Sequence, residues 1–148
     1  MCEFVEANNP DCKEISTEVR QTQLILNITS EFKYYILLCG LFQGKRNIVK
    51  QWSTYEPCFL ELVKADGDVG IKRLIQAIAL YFVKFAKDKQ KYIDTFMTML
   101  YEQSVFSTEF VVGWHGGDIK SDKHCSLYDR KVEKAFRPLL DKFVEWLQ

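Results

Sequence analysis

Residues 71–85, IKRLIQAIALYFVKF, carry the strongest periodicity in the chain. Their apolar side chains recur every three or four positions, at Ile71, Leu74, Ile75, Ile78, Phe82 and Phe85. Polar and charged side chains such as Lys72, Arg73 and Lys84 take the other side. This spacing is typical of an amphipathic helix, so we predict about four helical turns with the six apolar residues facing a core.

Helical spacing also recurs before and after this stretch, for example in 32–42, 93–100 and 128–136. No segment alternates cleanly between apolar and polar residues, and no Asn-Gly hairpin turn occurs. We therefore predict an all-α fold of stacked antiparallel helix pairs, either a bundle or a helical solenoid. No repeat period is visible, so the pattern alone does not choose between the two.

Proline and glycine suggest where the helices begin and end. Pro57 suits the first turn of a helix, and Asp66-Gly67-Asp68 is typical of a turn. Ser107 or Thr108 can cap the helix that follows them. Pro138 is expected to end one helix and open the last one.

Length and composition favour one globular domain. The chain has 148 residues, 47% of them apolar, which is enough for one sizeable core. Residues 1–13 are polar and are expected to form an N-terminal extension, with a single helical domain over 14–148. The 20 basic and 20 acidic residues balance, so no global field attracts nucleic acid or an anionic membrane.

The cysteines and the apolar runs favour a cytoplasmic protein without membrane contact. Five cysteines lack any CxxC spacing and are expected to be reduced thiols. They are Cys2, Cys12, Cys39, Cys58 and Cys125. Acidic residues interrupt any apolar start, so no signal peptide is predicted. No apolar run reaches the ~18–20 residues that a membrane span needs.

Motifs for catalysis, cofactors or metals are weak. His115, His124 and Cys125 lack the paired spacings of a zinc site, and neither Gly-rich nucleotide motif occurs. A His124–Cys125 nucleophile pair has no evident third group to orient it. We therefore expect no enzyme activity, no cofactor, no metal and no direct nucleotide binding.

Acidic residues beside aromatic ones stand out in the last third of the chain. They are Tyr101, Glu102, Glu109, Asp141, Glu145 and Trp146. Such surfaces can hold lysine-rich peptides through charge and cation–π contacts, although a plain solvated helix face is equally compatible with the composition. Helical spacing puts Trp114 on a core stripe and Trp146 on a flank, at the core boundary.

A second, basic group follows the periodic helix. Its members are Lys84, Lys87, Lys89 and Lys91. Three interpretations stay open: the solvated end of a long helix, a nucleic-acid patch, or a protein-binding surface.

The acidic and aromatic residues also carry a family pattern. Leu100-Tyr101-Glu102, the run from Glu109 to Trp114, and Phe143-Val144-Glu145-Trp146-Leu147 resemble the C-terminal two-tryptophan domain of eukaryotic translation initiation factor 5. The same domain closes the epsilon subunit of initiation factor 2B and the initiation-factor-5-mimic proteins. The resemblance covers roughly residues 30–148 and is most specific at the end.

The resemblance implies a HEAT-like stack of helices that assembles the translation preinitiation complex in the cytoplasm. The family's acidic–aromatic boxes bind lysine-rich segments of the beta subunit of initiation factor 2, and other faces contact initiation factors 3, 1 and 4G. The resemblance favours a protein-binding role for the lysine group. The alternatives within the family are the nucleotide-exchange domain of factor 2B epsilon and a mimic regulator.

This sequence differs from the family pattern at two places, and both differences reduce its negative charge. Ser107 and Thr108 stand where the family has acids, so only Glu109 remains of that run. The second box stops at Gln148, where the family usually continues with acids. We expect either correspondingly weaker binding of a polybasic partner or a further acidic segment beyond Gln148.

Overall fold

The computed structural model describes residues 12–26, 32–41, 48–121, 123, 125 and 127–148. Within them the fold is all-α, as predicted, and no strand is present. The α-helices, numbered α1 to α7, are Cys12–Leu26, Lys33–Leu41, Ile48–Leu80, Ile93–Glu102, Thr108–Gly116, Arg130–Phe136 and Asp141–Leu147. A π-helical turn at Tyr81–Phe85 and 3-10 turns at Lys87–Tyr92 and Arg137–Leu140 join some of them. Helix α1 begins at Cys12, two residues before the predicted start of the domain.

Neighbouring helices pack on one core that runs through the domain. Helices α1, α2 and α3 pack against each other, and α7 packs against both α4 and α5. The largest fully buried side chains are aromatic, which suits the 14% aromatic content of the chain. They include Trp114, Tyr34, Tyr81, Phe59, Phe82, Phe96, Phe106 and Phe136.

Helix α3 bends at the predicted turn. Gly67 lies at φ 65° and ψ −143°, a conformation that favours glycine and divides the 33-residue helix into two arms. Next to the bend, Asp66 accepts a hydrogen bond from the Tyr34 hydroxyl at 2.7 Å and pairs with Lys33. Burial tends to raise the pKa of Asp66, but the bonds from Lys33 and Tyr34 outweigh it and lower that pKa. The bend is therefore fixed to α2 by polar contacts.

Pro57 does not open a helix, so that prediction is wrong. It lies inside the first arm of α3, which starts nine residues earlier at Ile48. A proline inside a helix removes one backbone hydrogen bond. Its neighbours Cys58 and Phe59 are fully buried, and their packing holds this segment helical despite the lost bond.

The periodic stretch is helical as predicted, but its last turn differs. At Tyr81–Phe85 the chain widens into a π-turn, closed by a bond from the Ala86 N–H to the Tyr81 carbonyl at 2.7 Å. The wider turn rotates the following side chains. Tyr81, where the turn begins, is buried, whereas Phe85 at its end, predicted to face the core, is 45% exposed.

The 3-10 turn at Lys87–Tyr92 corrects the predicted lysine group. Three residues per turn place every third side chain on the same side. Ala86 and Lys89 therefore both face inward, and Lys89 is only 6% exposed. Burial lowers the pKa of the Lys89 ammonium, and neighbouring Asp88 opposes that effect. The expectation of a solvated Lys89 is wrong.

Helices α6 and α7 form one continuous rod over residues 130–147. Asp129 caps its start by accepting bonds from the N–H groups of Lys131 and Val132. Pro138 marks the end of one α-helix and the start of the last one, as predicted. α6 stops at Phe136, Pro138 lies at the start of the 3-10 turn Arg137–Leu140, and α7 follows from Asp141, so the rod keeps its direction while its α-helical pattern is interrupted.

The described cysteine side chains take part in no disulfide. Cys58 and Cys125 are buried, Cys39 is half-buried, and burial raises the pKa of the Cys39 thiol to about 12. Such thiols behave as small apolar side chains. Across the described ranges, we also find no helix with the length and apolar character of a membrane span.

Candidate protein-binding surface

The candidate surface centres on the contact between Tyr101 and Trp146. Tyr101 lies in the last turn of α4 and Trp146 in the last turn of α7, and their rings meet edge to face with centroids 5.7 Å apart. Phe143, which is buried, stacks against the inner side of the Trp146 ring at 5.9 Å. Trp146 itself is 60% exposed. The indole is thus held in place on two sides and still presents much of its surface to solvent.

Helix α5 starts beside this contact. Ser107 caps it by accepting a bond from the Phe110 N–H at 3.1 Å, as one of the two predicted caps. The Thr108 hydroxyl donates to the Tyr101 hydroxyl at 3.3 Å. Glu109, in the first turn, is exposed. The cap and the threonine bond thereby place Glu109 at the edge of the aromatic pair.

The remaining predicted acids lie on the helices that carry this pair. Glu102 follows Tyr101, Glu145 precedes Trp146, and both are exposed. Asp141 lies one turn before Glu145 on the same side of α7. Its carboxylate differs from the others because it contacts the His115 ring Nε2 at 2.7 Å. We call the six residues Tyr101, Glu102, Glu109, Asp141, Glu145 and Trp146 the acidic–aromatic surface.

A shallow groove continues this surface along α5. Apolar side chains of Val112, Ile119 and Leu147 line it, and Glu109 and Asp118 stand at its border. The methylene groups of a lysine side chain can pack on this apolar surface while its ammonium stays near a carboxylate. The arrangement suits an extended, lysine-containing segment.

Trp114, the other tryptophan of the pattern, does not belong to this surface. It is fully buried, as predicted from its stripe, and its indole N–H donates to the Ser121 hydroxyl at 2.8 Å. Phe136 contacts the ring edge at 6.1 Å between centroids, and the Arg137 guanidinium lies 5.0 Å from the ring centre. Trp114 therefore fixes α5 to the start of the rod.

The predicted basic surface is smaller than expected. Lys84, Lys87 and Lys91 are exposed, whereas Lys89 is buried. The Lys91 ammonium lies 5.1 Å from the ring centre of Tyr92. Lys84, Lys87 and Lys91 thus form a patch of three exposed lysines around a π-turn and a 3-10 turn.

Sequence reasoning missed a stronger basic feature beside Trp114. Six cations of the α5–α6 loop and the rod line one groove: Lys120, Lys123, Arg130, Lys131, Lys134 and Arg137. The signal was present as six basic residues within 18 positions of the sequence. The loop and the rod meet only in the folded chain, so the spacing of these residues does not predict that they line one groove.

Candidate metal ligands do not come together in the described part of the chain, where no three His, Cys, Asp or Glu side chains could share an ion. His124 lies outside the described residues. His115 contacts Asp141 instead.

Comparison with known proteins agrees with this fold. No family model matches the chain, and no curated protein matches it in sequence. Among solved structures, the chain is similar to the C-terminal domain of translation initiation factor 5 at low pH. The TM-score is 0.64 at 20% identity, over 98% of this chain and 85% of that one. This chain has that fold. The fold implied by the two-tryptophan pattern is thereby confirmed.

Proposed function

We propose that this chain is a protein-interaction module of translation initiation that works in the cytoplasm. Its acidic–aromatic surface binds lysine-rich segments of the beta subunit of initiation factor 2, and its other faces contact initiation factors 3, 1 and 4G. The observation that carries the proposal is the half-exposed Tyr101–Trp146 ring pair with acids on every flanking helix end. The shared fold with the factor 5 domain supports it.

The chemistry of this surface suits lysine side chains. An ammonium over the exposed Trp146 face gains a cation–π contact of about 0.5–1 kcal/mol at an exposed site. Each exposed ion pair with Glu102, Glu109 or Glu145 adds about 0–1 kcal/mol. Because each contact contributes so little binding free energy, several lysines in one segment are needed for measurable affinity. The surface therefore favours a block of lysines over a single one. The binding is therefore expected to be modest and to weaken with salt.

Nothing in this surface calls for catalysis. It offers carboxylates and rings on exposed helix ends, whereas general acid–base or nucleophilic catalysis needs groups poised in a water-excluded cleft. We propose a binding role without enzyme activity, cofactor or bound nucleotide.

The test is calorimetric titration of the chain with a lysine-block peptide. Glu109→Lys with Glu145→Lys reverses two charges of the surface, and Glu18→Lys with Glu61→Lys reverses two on α1 and α3 at the same net charge. We expect the first pair to abolish binding and the second to leave the affinity within about twofold, since distant charges are screened. Equal affinity of the first pair and the unchanged chain contradicts the proposal.

Trp146→Ala separates the ring from the charge. The variant should weaken binding about twofold to fivefold through the lost cation–π contact, at an unchanged salt dependence. An assay of GDP release from initiation factor 2 distinguishes the proposed adaptor from a nucleotide-exchange domain, because only the latter accelerates release.

A further inference from the structure

The basic groove is the most highly charged feature of the described residues that the proposed function does not use. Lys120 and Lys123 of the loop face Arg130, Lys131, Lys134 and Arg137 of the rod across it. The chain as a whole carries no net charge. The six cations of the groove are therefore a local concentration of positive charge. Basic surfaces of this kind are typical of sites that bind polyanions.

Rigid contacts build the floor of the groove. The Arg137 guanidinium lies over the Trp114 ring, and the Trp114 N–H holds Ser121 of the loop at 2.8 Å. The tryptophan thereby joins the two walls. Contacts between the two walls reduce the reorganisation that binding of a ligand requires.

The one acid among the groove-lining residues does not neutralise it. Glu133 reaches Arg137 only at 3.8 Å. The Nε of Arg137 and the Oε1 of Glu133 have no hydrogen-bond partner among the described residues. Lys131, Lys134 and Arg130 are exposed along the same short helix. The groove thus keeps a large positive excess after its internal pairing.

An aromatic side chain distinguishes the class of polyanion. Tyr128 lines the groove between the loop and the rod and is half-buried. Cations that follow a phosphate backbone together with an aromatic ring on which a base stacks are the usual elements of a single-strand binding groove. An acidic peptide needs the cations alone. The ring therefore favours nucleic acid over a carboxylate chain.

We propose that this groove binds single-stranded nucleic acid, with phosphates on the loop and rod cations and one base on the Tyr128 ring. The site is separate from the acidic–aromatic surface and shares no residue with it. None of its cations belongs to the group Lys84, Lys87 and Lys91, which lies on the π-turn and the 3-10 turn.

The experiment is fluorescence anisotropy with labelled single strands of about 12 nucleotides, a length within the usual site sizes. RNA and DNA strands of one sequence tell the two sources apart. Lys131→Gln with Lys134→Gln removes two groove charges, and Lys84→Gln with Lys87→Gln is the control with the same net charge. All four lysines are exposed, so both variants should keep the fold, which circular dichroism checks.

We expect the groove variant to lose tenfold or more in affinity and the control to stay within twofold. The slope of log affinity against log salt should fall by about 1.4 in the groove variant, since each single-strand phosphate contact contributes about 0.7. Equal losses in both variants overturn the proposal, because they indicate diffuse attraction without a site.

Tyr128→Leu tests the ring, and Tyr128→Phe is its matched control. The leucine variant should lose about fivefold or more in affinity at an unchanged salt slope, and the phenylalanine variant should retain its affinity. Thermal melting identifies any loss of fold. If a poly-glutamate peptide of equal charge competes as well as RNA, or if Tyr128→Leu binds normally, the groove is a site for acidic protein and the proposal is wrong.

Discussion

Two tryptophans near helix ends have opposite surroundings in this fold. Trp114 is fully buried between α5 and the rod, with its N–H bonded to Ser121 and Arg137 over its ring. Trp146 is 60% exposed, and its ring meets Tyr101 edge to face and stacks with Phe143. One tryptophan thus holds two helices together, and the other presents an exposed ring face to solvent.

The difference comes from the hydrogen-bond partner and the packing that the fold offers each indole. A buried tryptophan needs a partner for its N–H, and the α5–α6 loop supplies one through Ser121. Trp146 lies in the last turn of the rod and is left 60% exposed by the described residues. We conclude that the Trp114 region maintains the fold and the Trp146 region is available for contact.

Truncation of the two tryptophans should give the largest contrast. Trp114→Ala removes a fully buried side chain and should lower the free energy of unfolding by about 3–5 kcal/mol. Trp146→Ala, with most of its surface already in water, should cost about 1 kcal/mol or less. Urea unfolding of both variants measures the difference, and similar losses would refute the assignment of roles.

Arg137 should show the next largest effect. Arg137→Met removes the cation from the Trp114 ring and leaves the buried Glu133 carboxylate without its ion pair, at a cost of about 1–3 kcal/mol. The exposed Lys134→Met on the same rod should change stability by about 0.5 kcal/mol at most. Adding Glu133→Gln to Arg137→Met should recover part of the loss, and full additivity of the two changes contradicts this coupling.

The ring contact of the Trp146 region should be weaker. A double-mutant cycle with Tyr101→Leu and Trp146→Leu isolates it, and for an edge-to-face pair we expect about 0.5–1.5 kcal/mol, near the lower end because of its exposure. Chemical denaturation of the four proteins gives the coupling energy. A value of zero shows that Tyr101 does not hold the indole in place.

The His115–Asp141 pair should matter least for stability. Both groups are partly exposed, so Asp141→Asn should cost less than about 1 kcal/mol, and added salt should remove the difference. Thermal melting at low and high salt is sufficient, with Lys142→Gln on the same turn as the control. A loss that persists at high salt indicates a role beyond charge.

Periodicity predicted the fold because burial of an apolar stripe is what selects these helices. The stretch 71–85 is helical, Trp114 lies in the core, and the bend occurs at Gly67. Local capping was equally readable, since Ser107 accepts the bond that its type and position predict. Both kinds of signal depend on residues close together in sequence.

The errors occurred where the helix changed its pitch or where distant segments met. A hydrophobic period of 3.6 residues cannot indicate a π-turn or a 3-10 turn. These two turns leave Phe85 exposed and Lys89 buried. Packing of Cys58 and Phe59 kept Pro57 inside a helix. The basic groove combines a loop with the rod, and no local pattern indicates that they meet.

The rod formed by α6 and α7 carries its charges in an unusual order. Residues 130–137 hold four cations and one acid, and residues 138–148 hold two acids and one cation. Helices are stabilised by the reverse order, because the backbone is positive at its first turn and negative at its last. Side chains and backbone here add to one electric dipole along the rod. Stability of the helix does not select this order, and such a dipole orients the domain as a charged partner approaches.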